Sequence, residues 1–239
     1  MSSPVSVNPG LRSLAVVARL LDYPTLDLQE AANAMIEVIR AETRLPVAQR
    51  EALERFVRRL RDAALLDIQA DYVETFDRGR SVSLLLFEHV HGESRARGQA
   101  MVDLMQQYSD GGLELAAKEL PDYIPLYLEY LSTRAEDEAA QGLGDVHPIL
   151  ALLSARLRER GNAYYLLFDA LLGMIGIQPD MTALREKVAA ETRDDTPAAM
   201  DKVWEEEMVN FVEDQGASCP SQSPRRPQPQ THTLHFREN

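Results

Sequence analysis

Apolar residues return every three or four positions along nearly the whole of this chain, and no stretch alternates with period two for long. That pattern points to an all-α fold, a bundle of amphipathic helices. A first helix is expected from about Leu11 to Asp22, with Leu14, Val17, Ala18 and Leu21 on one face and Pro24 as its stop. Asp27, followed three residues on by Glu30, resembles a capping box and would start a second helix that turns Ala31, Met35, Val38 and Ile39 inward. Pro46 suits the first turn of a third, striped by Leu53, Phe56, Val57, Leu60 and Ala64, with Arg50, Arg55, Arg58, Arg59 and Arg61 left in water. Helix or near-helix continues through Ile68, Tyr72, Val73 and Phe76 until Asp77-Arg78-Gly79-Arg80 breaks it. The segment from Ser81 to about Glu93 fits no period, because Leu84, Leu85, Leu86 and Phe87 are contiguous.

Beyond it, a helix from about Ser94 to Ser109 carries Met101, Leu104, Met105 and Tyr108 and ends at Asp110-Gly111-Gly112. Pro121 opens the next, with Ile124, Leu128 and Leu131 inward and Pro125 in its first turns, where a missing N–H costs least. Asp145 is the expected N-cap of a helix through Leu150, Leu153 and Leu157, closed by Gly161. The stretch from Ala163 to about Met174 is apolar on most sides and should be central. Thr196-Pro197 would start a last amphipathic helix bearing Val203, Trp204, Met208, Phe211 and Val212. The chain therefore reads as a flexible N-terminus over residues 1–10, a single helical domain over 11–214 and a tail over 215–239. In that tail Pro220, Pro224, Pro227 and Pro229 stand among Ser, Gln and Thr with too little to bury, so disorder is expected.

Acidic residues outnumber Lys and Arg by 38 to 25, a formal net charge of −13. Affinity for a phosphate backbone comes mostly from cations, so nucleic acid is a poor partner and basic partners are favoured. The acids concentrate in Asp110–Asp145, nine against two bases, and in Glu186–Asp214, ten against three. Cys219 is the single cysteine, which excludes an intramolecular disulfide and fits a reducing compartment. The first residues lack the basic and apolar regions of a secretory signal. The most apolar stretch, Ala163–Ile177, is interrupted by Asp169 and falls short of the ~20 residues a membrane span needs. A cytoplasmic location with no membrane insertion is expected.

No Gly-rich phosphate loop, nucleophile elbow, H-E-x-x-H pair or dinucleotide fingerprint is present. The densest chemistry is Glu88-His89-Val90-His91-Gly92-Glu93. On extended backbone His89 and His91 would face the same way, whereas on a helix they would point about 200° apart. Two histidines rarely suffice to hold a metal, and no bound metal is expected. A metal-dependent helical hydrolase using His89 and His91 stands as the alternative function, and a general helical adaptor as a third.

The strings LLLFEHVHGESRARGQAMVDL at Leu84–Leu104 and ELPDYIPLYLEYLS at Glu119–Ser132 carry a resemblance. With LLDYP at Leu20–Pro24, ADYVETFD at Ala70–Asp77 and Trp204-Glu205-Glu206-Glu207, in that order, they resemble the NarJ family of nitrate reductase assembly chaperones over roughly Leu11 to Phe211. The resemblance implies an all-helical, cytoplasmic, dedicated chaperone of the wider TorD-like group of redox-enzyme maturation proteins, without catalytic activity or a stably bound cofactor. Such a chaperone binds the N-terminal segment of the apo catalytic (alpha) subunit of membrane-bound respiratory nitrate reductase. It keeps that subunit competent for molybdenum cofactor insertion and membrane assembly. In the wider group a Pro-Asp-His triplet helps line the peptide-binding region; here Pro121 and Asp122 match and Tyr123 replaces the histidine. The residues expected at the partner peptide are Phe87, Glu88, His89, Asp122, Tyr123, Leu126, Tyr127 and Glu129. The aromatics and Leu126 would form a groove wall and Asp122 and Glu129 would supply charge, although for each aromatic taken alone core packing is the favoured reading.

Overall fold

In the computed structural model, which describes residues 8–90, 95–115, 119–196, 198–199 and 201, the periodic segments are helices. They are α1 (Arg12–Leu21), α2 (Leu26–Ala41), α3 (Val47–Asp62), α4 (Leu65–Phe76), α5 (Arg95–Asp110), α6 (Ile124–Ser132), α7 (Glu136–Glu159), α8 (Tyr165–Met174) and α9 (Met181–Ala189). The described residues contain no strand, only an isolated antiparallel bridge between Leu85 and Tyr123. The chain divides into two units, Met1–Thr196 and Pro197–Asn239. The helix expected around Trp204 and the tail 215–239 lie outside the described residues, as do His91 and residues 1–7.

Helix α8 is the centre. It packs on α7, α1 and α3, with Leu167, Phe168, Ala170 and Leu171 fully buried. Asp169, the one acid in that apolar run, is tolerated because Ser154 of α7 donates to its Oδ1 at 2.6 Å and Arg158 pairs with its Oδ2. Around this axis α1 packs on α2 and α6, α2 on α3, and α7 on α6 and α9. Asn8 N–H donates to Ser132 O at 2.9 Å while the other end of α1 lies beside Tyr123, so α1 and α6 run antiparallel.

Several expected boundaries move, each for a physical reason. The cap of α2 is Thr25, whose hydroxyl accepts the Leu28 N–H, so the helix starts at Leu26 and the Asp27/Glu30 capping box does not form. Asp27 sits instead in the first turn, where a negative charge still suits the helix dipole. Helix α3 does not run on into α4. Gln29 of α2 reaches across and its Nε2 donates to Leu60 O (2.8 Å) and Ala63 O (2.9 Å), satisfying the carbonyls of an ending helix, and Ala64 is exposed.

Asp145 caps nothing, because α7 is one helix of 24 residues with Asp145 and Pro148 inside it. Pro148 has no N–H to give to Gly144 O, four residues back, which would break most helices. Here the Nδ1 of His147 occupies that carbonyl at 2.6 Å, and the helix continues. It closes as expected at Gly161, whose φ of +66° a side chain would strain. The Asn162 N–H bonds Leu157 O and the Gly161 N–H bonds Arg158 O, a Schellman motif. Helix α9 has no counterpart in the sequence reading. Its local signal is Asp180, whose carboxylate accepts the N–H groups of Thr182 and Ala183. No described helix is long and apolar enough to cross a membrane.

Candidate functional site

The aperiodic stretch after Gly79 is a strap rather than a helix. Leu84 and Leu86 are buried, and a single 3-10 turn covers Leu86–Glu88. It is stitched to the triplet segment by two backbone bonds, Leu86 N–H to Asp122 O (2.9 Å) and Ile124 N–H to Leu84 O (2.8 Å). Asp122 completes the stitch from inside. Its Oδ2 accepts the Phe87 N–H at 3.1 Å, its Oδ1 makes no hydrogen bond among the described residues, and the residue is fully buried. Burial pushes its carboxyl above the usual Asp range. The expectation that Asp122 supplies surface charge is therefore corrected: its carboxylate holds the strap against the start of α6.

His89 is held likewise. Its Nε2 lies 2.8 Å from Ser83 O, and because a carbonyl only accepts, that nitrogen carries the proton. Burial lowers its pKa, which favours the neutral ring. Only Nδ1 is left as a lone pair, and among the described residues no group of three His, Cys, Asp or Glu side chains could hold a metal ion. Glu88 pairs at 4.0 Å with Arg97 of α5, and Phe87 is half-buried against the core. Tyr127 also turns inward. It is buried, and its hydroxyl donates to Gly142 O of α7 at 3.1 Å; burial pushes that hydroxyl up to about 12.

The remaining three expected residues meet at one surface. Tyr123, Leu126 and Glu129 line a cleft of about 360 Å³ between α6 and α1, whose other wall is Ala15, Ala18, Arg19 and Asp22. Tyr123 and Leu126 are half-buried and Glu129 is exposed. At its inner end the Tyr123 hydroxyl donates to Asp22 Oδ1 at 3.2 Å and lies 3.2 Å from the hydroxyl of Tyr72, which itself donates to Leu21 O at 2.9 Å. Burial, with Asp22 and Asp77 nearby, raises the Tyr123 hydroxyl well above the normal range, so it stays a donor. The phenol thereby reaches a carboxylate at the end of α1. Asp22 also accepts the Tyr23 N–H and pairs with Arg19 at 3.1 Å, and Arg19 donates onward to Thr25. With Glu119 at the rim, the cleft has three carboxylates against one guanidinium.

The α1 wall is absent from the residues expected on sequence grounds, although its signal is present. Ala15, Ala18, Arg19 and Asp22 fall at i, i+3, i+4 and i+7, a face of α1 beside the leucine face that packs the core. Small residues on that face leave room for an occupant, and an acid closes it.

Comparison with known proteins gives a consistent result. Residues 42–170 match the family model described as nitrate reductase delta subunit. The chain is 54% identical over 203 residues, 85% of this chain and 86% of the relative, to the nitrate reductase molybdenum cofactor assembly chaperone NarJ of Escherichia coli (strain K12). It is 48% identical over 211 residues, 88% of each chain, to the probable assembly chaperone NarW of the same strain. The crystal structure of an Archaeoglobus fulgidus protein, described as a candidate redox enzyme maturation protein, aligns with a TM-score of 0.50 at 18% identity over 71% of this chain and 96% of that one. That last likeness speaks for the fold alone.

Proposed function

The chain belongs to the nitrate reductase delta subunit family, and on that premise we propose that it is a dedicated chaperone for the N-terminal segment of the apo catalytic subunit of respiratory nitrate reductase. It is a NarJ-type assembly chaperone and not a catalyst, since its relatives are named as assembly chaperones. The hydrolase reading loses its support, because the one described histidine of the pair spends Nε2 on a backbone carbonyl.

The observation that carries the site is the seating of the Pro121-Asp122-Tyr123 triplet. Asp122 fixes the strap from within, and this leaves Tyr123 and Leu126 at the mouth of the α1/α6 cleft. A helical segment would lay apolar anchors at i, i+3, i+4 and i+7 against Tyr123, Leu126, Ala15 and Ala18. Lys or Arg beside those anchors would meet Asp22, Glu119 and Glu129, which speeds encounter and selects against acidic segments. While the segment is held, the subunit stays competent for molybdenum cofactor insertion and off the membrane. The cofactor goes to the partner, and this chain holds none stably. Phe87, Glu88, His89, Asp122 and Tyr127 act in this reading by shaping the cleft from behind.

The test is made in the native cell. Nitrate reductase from cells lacking this chain should contain far less molybdenum per catalytic subunit than wild type. The wild-type chain should restore it, and a folded Leu126→Glu chain should not. Normal molybdenum content in the deletion cells would refute the chaperone reading. Full rescue by Leu126→Glu would refute the cleft.

A further inference from the structure

The α1/α6 cleft is lined at its inner end by Tyr123 and Asp22. Because α1 and α6 are antiparallel, that end adjoins the turn between α1 and α2, which is bound to α4. Gln69 of α4 donates to Pro24 O at 2.8 Å, and the rings of Tyr23 and Tyr72 meet edge to face with centroids 5.6 Å apart. On this side four apolar side chains stand in water: Tyr23 (42% exposed), Leu26 (56%), Leu66 (78%) and Val73 (38%). Leu66 and Val73 are seven residues apart, so they share one face of α4 about two turns from each other.

The charge around the strip matches that of the cleft. Helix α4 carries Asp67, Asp71 and Glu74 and no base, and Asp77 follows it. Arg59 pairs with Asp71 at 3.2 Å and Arg78 with Glu74 at 3.7 Å, which leaves Asp67 and Asp77 without an ion pair among the described residues. An apolar strip edged by uncompensated carboxylates suits an amphipathic cationic segment, the same chemistry that the cleft suits.

We propose that the partner segment continues out of the α1/α6 cleft, over Asp22 and Tyr23, and sets a second group of apolar residues on Leu66 and Val73 of α4. This inference rests on the chaperone reading above and extends its surface from one anchor group to two. A segment filling only the cleft uses half of the site.

Two synthetic peptides copying the start of the nitrate reductase catalytic subunit separate the halves, one of about 10 residues and one of about 20, the longer reaching ~15 Å further as a helix. Titrated against the full chain, the long peptide should lose affinity by about tenfold with the double substitution Leu66→Glu, Val73→Glu, while the short peptide binds unchanged. Val47→Glu, at an exposed position on α3, should alter neither. Circular dichroism melts establish that each variant folds. Equal affinity of the long peptide for wild type and double variant overturns the extension, and leaves the cleft standing if Leu126→Glu still weakens both peptides. Binding of neither peptide by the wild-type chain overturns the chaperone reading as well. A concentration-dependent dimer in sedimentation that the double variant abolishes would assign the strip to a second copy of this chain and overturn the proposal.

Discussion

Asp122 is fully buried, and among the described residues its carboxylate accepts one hydrogen bond, from the Phe87 N–H. Its pKa is raised by burial, so the ionised form is disfavoured in the fold and costs stability at any pH above the folded value. Asp122→Asn keeps an acceptor for Phe87 without the charge. It should melt no lower than wild type at pH 7, and any advantage should shrink as pH falls through the raised folded value and be gone below the ordinary Asp value near 4. Asp122→Ala strands the Phe87 N–H and should cost about 1–3 kcal/mol in denaturant unfolding. Glu42 gives the opposite sign. Burial opposes its charge, yet hydrogen bonds from the side chain and backbone of Arg44 bring its pKa down to about 2. Its contribution is complete above the unfolded value near 4.3 and is lost as pH falls toward 2. Glu42→Gln should therefore lose about 1–2 kcal/mol at pH 7 and differ little from wild type near pH 2, measured by urea unfolding at both. That Asp122 lies inside was not legible in sequence, where a lone acid between Pro and Tyr reads as surface charge.

Helix existence was legible wherever the apolar spacing was long and regular, as in α1, α3 and α8. Boundaries failed where a distant side chain decides them. Gln29 ends α3 from more than thirty positions away, and no local pattern records that. Pro148 misled for a related reason: the carbonyl it orphans finds its partner in the preceding side chain, a bond that exists only if the helix already runs through. This gives a testable coupling. His147→Leu should cost about 1 kcal/mol in the native chain and close to nothing in a Pro148→Ala background, since that substitution restores the backbone N–H that Gly144 O needs. Equal costs in both backgrounds, read by denaturant unfolding, would mean that His147 acts elsewhere. The α1 half of the cleft was missed because a helix in a sequence announces its core face first. The i, i+3, i+4, i+7 spacing of Ala15, Ala18, Arg19 and Asp22 stands in the sequence, but it marks a wall only once the neighbouring helix is placed.

At the scale of the whole molecule the formal net charge is −13, and the α1/α6 cleft carries the same sign, with three carboxylates against one guanidinium. Encounter with a basic segment should be fast at low salt and slow as ionic strength rises, while the dissociation rate depends on the apolar anchors. Stopped-flow mixing should show Glu129→Lys lowering the association rate and flattening its salt dependence, with dissociation little changed. A salt dependence identical to wild type would place the acidic surface outside the binding path. The family itself was legible from ordered strings of residues, whereas the groove geometry required the fold. The most direct measurement is isothermal calorimetry of the intact chain with a synthetic peptide of the catalytic subunit's N-terminus. Saturable one-to-one binding, weakened by about 1–3 kcal/mol in a folded Tyr123→Ala variant, is the expected result. No heat of binding to the wild-type chain, or binding indifferent to both Tyr123→Ala and Leu126→Glu, would contradict the assignment of the α1/α6 cleft as the chaperone site.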